Sequence, residues 1–340
     1  MKGRIVLAGL AGLLAAAPAF SQNLEAPVSG CSAQDARVED ACQKTVDVFA
    51  FMTPQLGVSL AGGNALLGAR SNLGGLGHFS LGVHATAIQG KLPDFQSMSY
   101  SLSGAQRSDN RTDDQVLGAP GVELAVGLFR GFNTSLARVG SLEGIVSANY
   151  IPEYDDESFS LTAPDGSLKL GFGGRLGVIG EGPLLPGVSV SFLRRDLPTL
   201  DLSAVTTALG GAADDSLALQ NFAVKTTATR LVVQKNLVVL GLAAGIGQDK
   251  YAAAADLNSV VRSGGTSCNA LAPCRVDVHY GQDVTRTTMF ANATLNLVVF
   301  RLGAEVGQVT GGDVKTYNTF ADRDPNDSLL FGSVAIRFGF

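Results

Sequence analysis

The stretch LLFGSVAIRFGF, residues 329–340, alternates in side-chain character up to the final residue. Val334, Ile336, Phe338 and Phe340 fall on one side; Ser333, Ala335, Arg337 and Gly339 fall on the other. A period of two marks an extended strand, because successive side chains point to opposite faces. Here one face is oily and the other small or polar, so the strand divides an apolar medium from a polar one.

The same alternation recurs upstream. In SLKLGFGGRLGVIG, residues 167–180, Leu168, Leu170, Phe172, Leu176 and Val178 oppose Lys169, Gly171, Gly173, Arg175 and Gly177. Comparable segments lie at 78–84, 121–129, 141–150, 188–195, 238–249, 286–296 and 300–306, and residues 222–233 are strand-like with a less clear facing. About 9–11 residues suffice for a tilted strand to cross a bilayer.

The connections sort into two kinds that alternate along the chain. Those near 131–140, 181–186, 234–236 and 298–299 are short, whereas 91–119, 152–166, 198–218, 252–283 and 310–328 are long and polar. Membrane barrels have short periplasmic turns and long external loops, whereas a soluble sandwich has no reason to sort its loops by side. The expected fold is therefore all-β, an antiparallel transmembrane β-barrel. From His78 onward the count is ten strands. Residues 52–61 and 65–71, joined at Gly62-Gly63-Asn64, would raise it to twelve, and twelve is favoured over ten; the alternative folds that stretch into the lumen as a plug.

Residues 1–21 read as a secretory signal peptide: Lys2 and Arg4 precede a short apolar run, 5–17, and Ala19-Phe20-Ser21 supplies small residues for cleavage near Gln22. The expected organisation is a signal at 1–21, an N-terminal segment at 22–50 with a short helix over 35–48, periplasmic or plugging, and the barrel at 51–340.

With a formal charge of −5, the chain offers no basic surface for nucleic acid. Cys31 and Cys42, and Cys268 and Cys274, form two close pairs, which in an exported chain point to two disulfides, although four cysteines allow three connectivities. Neither pair has CxxC spacing and none of the three histidines lies beside one, so no metal site is expected. The glycines at 171–174 lack a following Gly-Lys-Ser/Thr, and no cofactor is expected.

Extending the alternation places Glu123, Glu143, Lys169, Arg175, Arg195, Lys225, Asp249, Arg286, Arg301, Glu305 and Arg337 in the lumen. Two readings compete: a salt-bridged interior that fills a narrow barrel, and a small channel leaning toward anions. The favoured function is passive passage of small or amphipathic solutes, with no enzymatic activity. The alternative is a structural or adhesive barrel whose partner-binding element is the loop carrying Cys268 and Cys274. A rim hydrolase would rest on His279 beside Asp277 and Asp283, and His78 and His84 are expected to face the lumen as structural groups.

The terminal pattern at Val334, Ile336, Phe338 and Phe340 resembles the C-terminal signal by which the barrel-assembly machinery recognises bacterial outer-membrane proteins. That resemblance implies export, periplasmic chaperones and contact with outer-membrane lipid and lipopolysaccharide. Residues 57–82, GVSLAGGNALLGARSNLGGLGHFSLG, resemble the start of barrels related to the long-chain fatty-acid transporter, which implies an N-terminal hatch and a hydrophobic substrate. Asn64-Ala65-Leu66 stands where that family has Asn-Pro-Ala.

Overall fold

The computed structural model describes residues 23–135, 137–155, 159–206, 215–262, 268, 271–321 and 323–339. The expected signal peptide and Phe340 lie outside them. Ten strands make the wall: β1 (Phe79–Pro93), β2 (Thr112–Phe129), β3 (Arg138–Tyr150), β4 (Leu168–Ile179), β5 (Gly187–Asp196), β6 (Asp215–Leu237), β7 (Leu240–Val261), β8 (Cys274–Asn296), β9 (Arg301–Thr310) and β10 (Leu329–Gly339). Each pairs antiparallel with its sequence neighbours, and β10 returns to β1 in a register that sets Leu81 beside Phe338 and Val83 beside Ile336. The ring is closed, so within the lipid-facing span each strand is paired on both sides.

Outward side chains form an oily band. Leu170, Phe172, Val334 and Ile336 are all exposed on it, as the alternation requires. Higher on the wall the outward residues turn polar, at Thr227 and Thr229 on β6, Gln248 and Lys250 on β7, and Thr285 and Asp283 on β8. That change marks the limit of the lipid-facing span. Strands β6, β7 and β8 continue past it as a ladder of 23, 22 and 23 residues, so much of the long loop expected at 252–283 is strand. The Cys268–Cys274 disulfide closes the tip of that ladder.

The favoured count of twelve is corrected to ten, because residues 52–61 are helical. After a single turn, α1 (Ser29–Ser32), the chain forms α2 (Ala36–Ala61), which runs inside the barrel. The expected boundary at 50/51 therefore falls in mid-helix, and the barrel begins at Phe79. Asp35 caps α2 by accepting a hydrogen bond from Arg37 N at 3.0 Å, and the Cys31–Cys42 bridge ties α1 to its first turns. Gly62 ends the helix at φ 60°, a conformation that a side chain disfavours. Of its 26 residues, 22 are buried, so the helix has no solvent face and no amphipathic stripe to reveal it. Pro54, a helix breaker in most settings, further masks its second half.

The direction of α2 fixes the topology of the N-terminus. Near its start, Asp40 accepts a hydrogen bond from Ser101 N in the β1–β2 loop at 2.8 Å. Leu24 N donates to Thr316 O in the β9–β10 loop at 2.9 Å. Both partners belong to the long-loop end. The chain thus enters at that end, descends through the lumen, and turns at residues 62–77 into β1. An epitope inserted before Asn23 should be reached by antibody on intact cells, whereas labelling only after permeabilisation would contradict this topology.

Candidate functional site

The interior is divided by height. Around the upper part and middle of α2, Phe49 packs edge-on against Phe222 and Tyr280, with ring centroids 5.3 and 5.6 Å apart, and Phe51 stacks on Phe320 at 4.2 Å. Cys31, Val46, Leu257, Val261 and Val276 complete this buried apolar cluster. Further down, the β7 ring of Tyr251 lies so close to Gly57 that an added Cβ would fall 2.6–2.8 Å from its carbons. Only a glycine lets helix and wall approach that far.

Below the apolar half, arginines from the wall reach inward and donate to backbone carbonyls of the plug. Arg195 Nη1 donates to Ala61 O at 2.8 Å; Arg230 Nε and Nη2 donate to Gly63 O and Gly62 O, both at 2.8 Å; Arg337 Nε donates to Leu67 O at 2.8 Å; Arg175 Nη2 donates to Arg70 O at 2.8 Å. These are the carbonyls left open by the end of the helix and the irregular segment after it, and a buried carbonyl without a partner is costly. Carboxylates answer in kind: Glu305 accepts from Asn64 N at 2.9 Å and Glu143 from Leu73 N at 2.8 Å.

The same arginines pair with wall carboxylates. Glu123 stands between Arg195 and Arg337, the second at 2.6 Å, with His84 Nδ1 4.0 Å away. Arg175 meets Glu143 at 2.6 Å and Arg230 meets Asp249 at 2.6 Å. Arg286 does not reach the plug; its Nη2 donates to Asn326 O, in the β9–β10 loop, at 3.1 Å.

Of the residues expected in the lumen, Glu123, Glu143, Arg175, Arg195, Asp249, Arg286, Glu305 and Arg337 are buried inside it. Lys169 and Arg301 keep the inward phase but are only half-buried, at opposite ends of the wall. Lys225 is corrected: it is exposed and points outward in the polar collar above the oily band. A bulge between Gln220 and Ala223 interrupts the β6 register, and the faces there are reversed: Phe222 and Val224 are buried inside while Lys225 faces outward, so the oily-outward rule of the lipid-facing span gives the wrong phase. Arg230 was missed for the same reason, although Leu231 and Val233 on the oily face would have set it inward. His84 is inward as expected. His78 instead lies exposed just before β1, near Gly75 O. His279 pairs across β7 with Asp256 at 2.8 Å rather than with Asp277 or Asp283, on an exposed outer face.

At the short-turn end the plug stops short of the mouth. A cavity of about 850 Å³ remains there, lined by the turns and by Arg70, Arg301 and Arg337. It ends blindly on the segment that the arginines hold.

No family model matches the chain, and no curated protein does. Among solved structures, the barrel is similar to the β-domain of the Bordetella autotransporter BrkA, at 11% identity over 77% of this chain and 99% of that one, with a TM-score of 0.30. The transport unit of the Escherichia coli autotransporter AIDA-I gives 7% identity, 88% and 99% coverage and a TM-score of 0.30. The Ralstonia pickettii toluene transporter TbuX gives 11%, 84%, 97% and 0.27. The structures found are bacterial outer-membrane β-barrels. At such TM-scores the fold assignment rests on the closed ring itself.

Two consequences are measurable. Removing the charge of Glu123 leaves two buried guanidinium groups without their carboxylate, so Glu123→Gln should cost about 3–5 kcal/mol in urea unfolding, and a loss below about 1 kcal/mol would refute the clamp. Asp47, buried on α2 above the lipid-facing span, accepts from Tyr317 N at 3.0 Å and from Asn318 N at 2.8 Å. Burial outweighs these donors and pushes its carboxyl up to about 6. A raised value favours the protonated form in the folded state. Its contribution is therefore complete below the ordinary carboxylate range and lost as pH rises through about 6, by roughly 3 kcal/mol at neutrality. Thermal unfolding of Asp47→Asn should lack that decline between pH 4 and 7.

Proposed function

We propose that this chain is a non-enzymatic bacterial outer-membrane barrel that passes small solutes passively, and only when its own N-terminal plug withdraws. The observation that carries the reading is the blind cavity of about 850 Å³, closed by a segment that wall arginines hold by its backbone carbonyls, beside a small apolar contact of Ala65, Leu66 and Ala69 with Ala125, Ile145 and Leu193. Polar ties can be exchanged for water as a segment leaves, whereas an apolar seal loses its burial outright. In this reading the signal peptide directs export, periplasmic chaperones and the barrel-assembly machinery deliver the chain through its terminal strand, and the oily band meets lipid and lipopolysaccharide.

A second reading, a structural or adhesive barrel with a permanently filled lumen, draws on the apolar cluster around Phe49 and on the disulfide at Cys31–Cys42. Planar-bilayer recordings separate the two. The transport reading predicts rare openings for the wild type. It predicts a roughly 100-fold higher open probability for Glu123→Gln, the factor that about 3 kcal/mol of lost latch energy gives. Thr45 Oγ1 and Ser259 Oγ lie 2.6 Å apart across helix and wall, so oxidised Thr45→Cys/Ser259→Cys should be silent. Folded wild type and Glu123→Gln that both stay silent would leave the filled barrel standing.

A further inference from the structure

Strands β9 and β10 place Arg301 directly opposite Arg337, in Cα register and on the same inward face. Like charges in a cross-strand pair repel and destabilise the sheet unless something answers them. Arg337 is answered in part: Nη2 meets Glu123 at 2.6 Å and Nε donates to Leu67 O at 2.8 Å. Its Nη1, on a side chain only 1% exposed, has no hydrogen-bond partner. The charges that act most on Arg301 are those of Arg70 and Arg337, both positive. All three arginines line the same cavity at the short-turn end. The carboxylate of Glu181, which also lines it, is engaged elsewhere, accepting from Asn236 N and Nδ2 at 2.6 Å each.

From this geometry we infer that the cavity is a binding site for a small oxyanion, a phosphate or carboxylate group held by Arg70 and Arg301 and backed by the buried charge of Arg337. A guanidinium offers paired N–H donors spaced for such oxygens, and a concave site with a few convergent donors is how small ligands are held. The ligand's charge would also relieve the Arg301–Arg337 repulsion, so binding should stabilise the end of the wall where the terminal strand closes the ring. The inference gives the solute class of the proposed transport pathway and so builds on that reading, but binding itself is measured on the closed barrel.

Isothermal titration of the full-length folded barrel in lipid-free detergent at low ionic strength, with inorganic phosphate and separately with succinate, tests it. Saturable binding of either, absent with sodium chloride at matched ionic strength, is the expected result. Arg301→Gln should weaken it at least tenfold, the loss of one charged hydrogen-bonding group. Arg70→Gln/Arg301→Gln should abolish it, with heat-modifiable gel migration unchanged. If phosphate and succinate are silent but dihexanoyl-phosphatidylglycerol binds and Arg301→Gln weakens it, the oxyanion belongs to a lipid headgroup. No binding by any of the three probes, or equal binding by Arg301→Gln, would overturn the site. A barrel that binds phosphate yet never conducts would keep the site and remove the transport reading.

Discussion

Glu123 is where wall and plug are joined. One carboxylate, contributed by β2, is shared by Arg195 from β5 and Arg337 from β10, and each of these also donates to a plug carbonyl. Buried charges survive only when they are paired and hydrogen-bonded. The arrangement therefore makes the closure of the barrel and the docking of residues 60–73 interdependent. Without the plug, the guanidinium groups would lose acceptors; without Glu123, they would repel one another. Arg230 with Asp249 and Arg175 with Glu143 repeat the device around the ring.

The lumen that results has two media. At the long-loop end α2 is gripped by aromatic and aliphatic packing under loops pinned by Asp40 and Asp47. At the short-turn end it gives way to irregular backbone whose carbonyls must be satisfied one by one. A helix buried on every side satisfies its own backbone except at its ends, which is why the arginines gather at the C-terminal end of α2. Carbonyls at that end also carry the negative pole of the helix, a further attraction for cations.

Much of the wall was legible in the sequence because each strand separates lipid from interior, and the separation is written in every second residue. The sorting of connections by length and the two cysteine pairs were equally plain, and the structure pairs Cys31 with Cys42 and Cys268 with Cys274. Reading failed where that separation is absent. Beyond the lipid-facing span the wall is polar outside, at Lys225, and apolar inside, at Phe222 and Val224, so the rule that puts oily residues outward assigns Lys225 to the wrong face. The second half of α2, buried on all sides and interrupted by Pro54, shows small and apolar residues in no helical stripe, and it read as a strand. Charged lumen residues were found from phase alone, but their task was not: a list of arginines and carboxylates is equally compatible with an open pore, and only the carbonyls of residues 60–73 reveal what most of them hold.

The central claim is that α2 is an integral part of the closed barrel, clamped from the wall. Hydrogen–deuterium exchange of the folded protein in detergent addresses it directly. Peptides from residues 36–61 should exchange as slowly as those from the paired strands β2 and β10, and that protection should fall when Glu123 is replaced by Gln. Exchange of the 36–61 amides within seconds, beside protected strands, would mean that the helix does not occupy the lumen and would contradict the account.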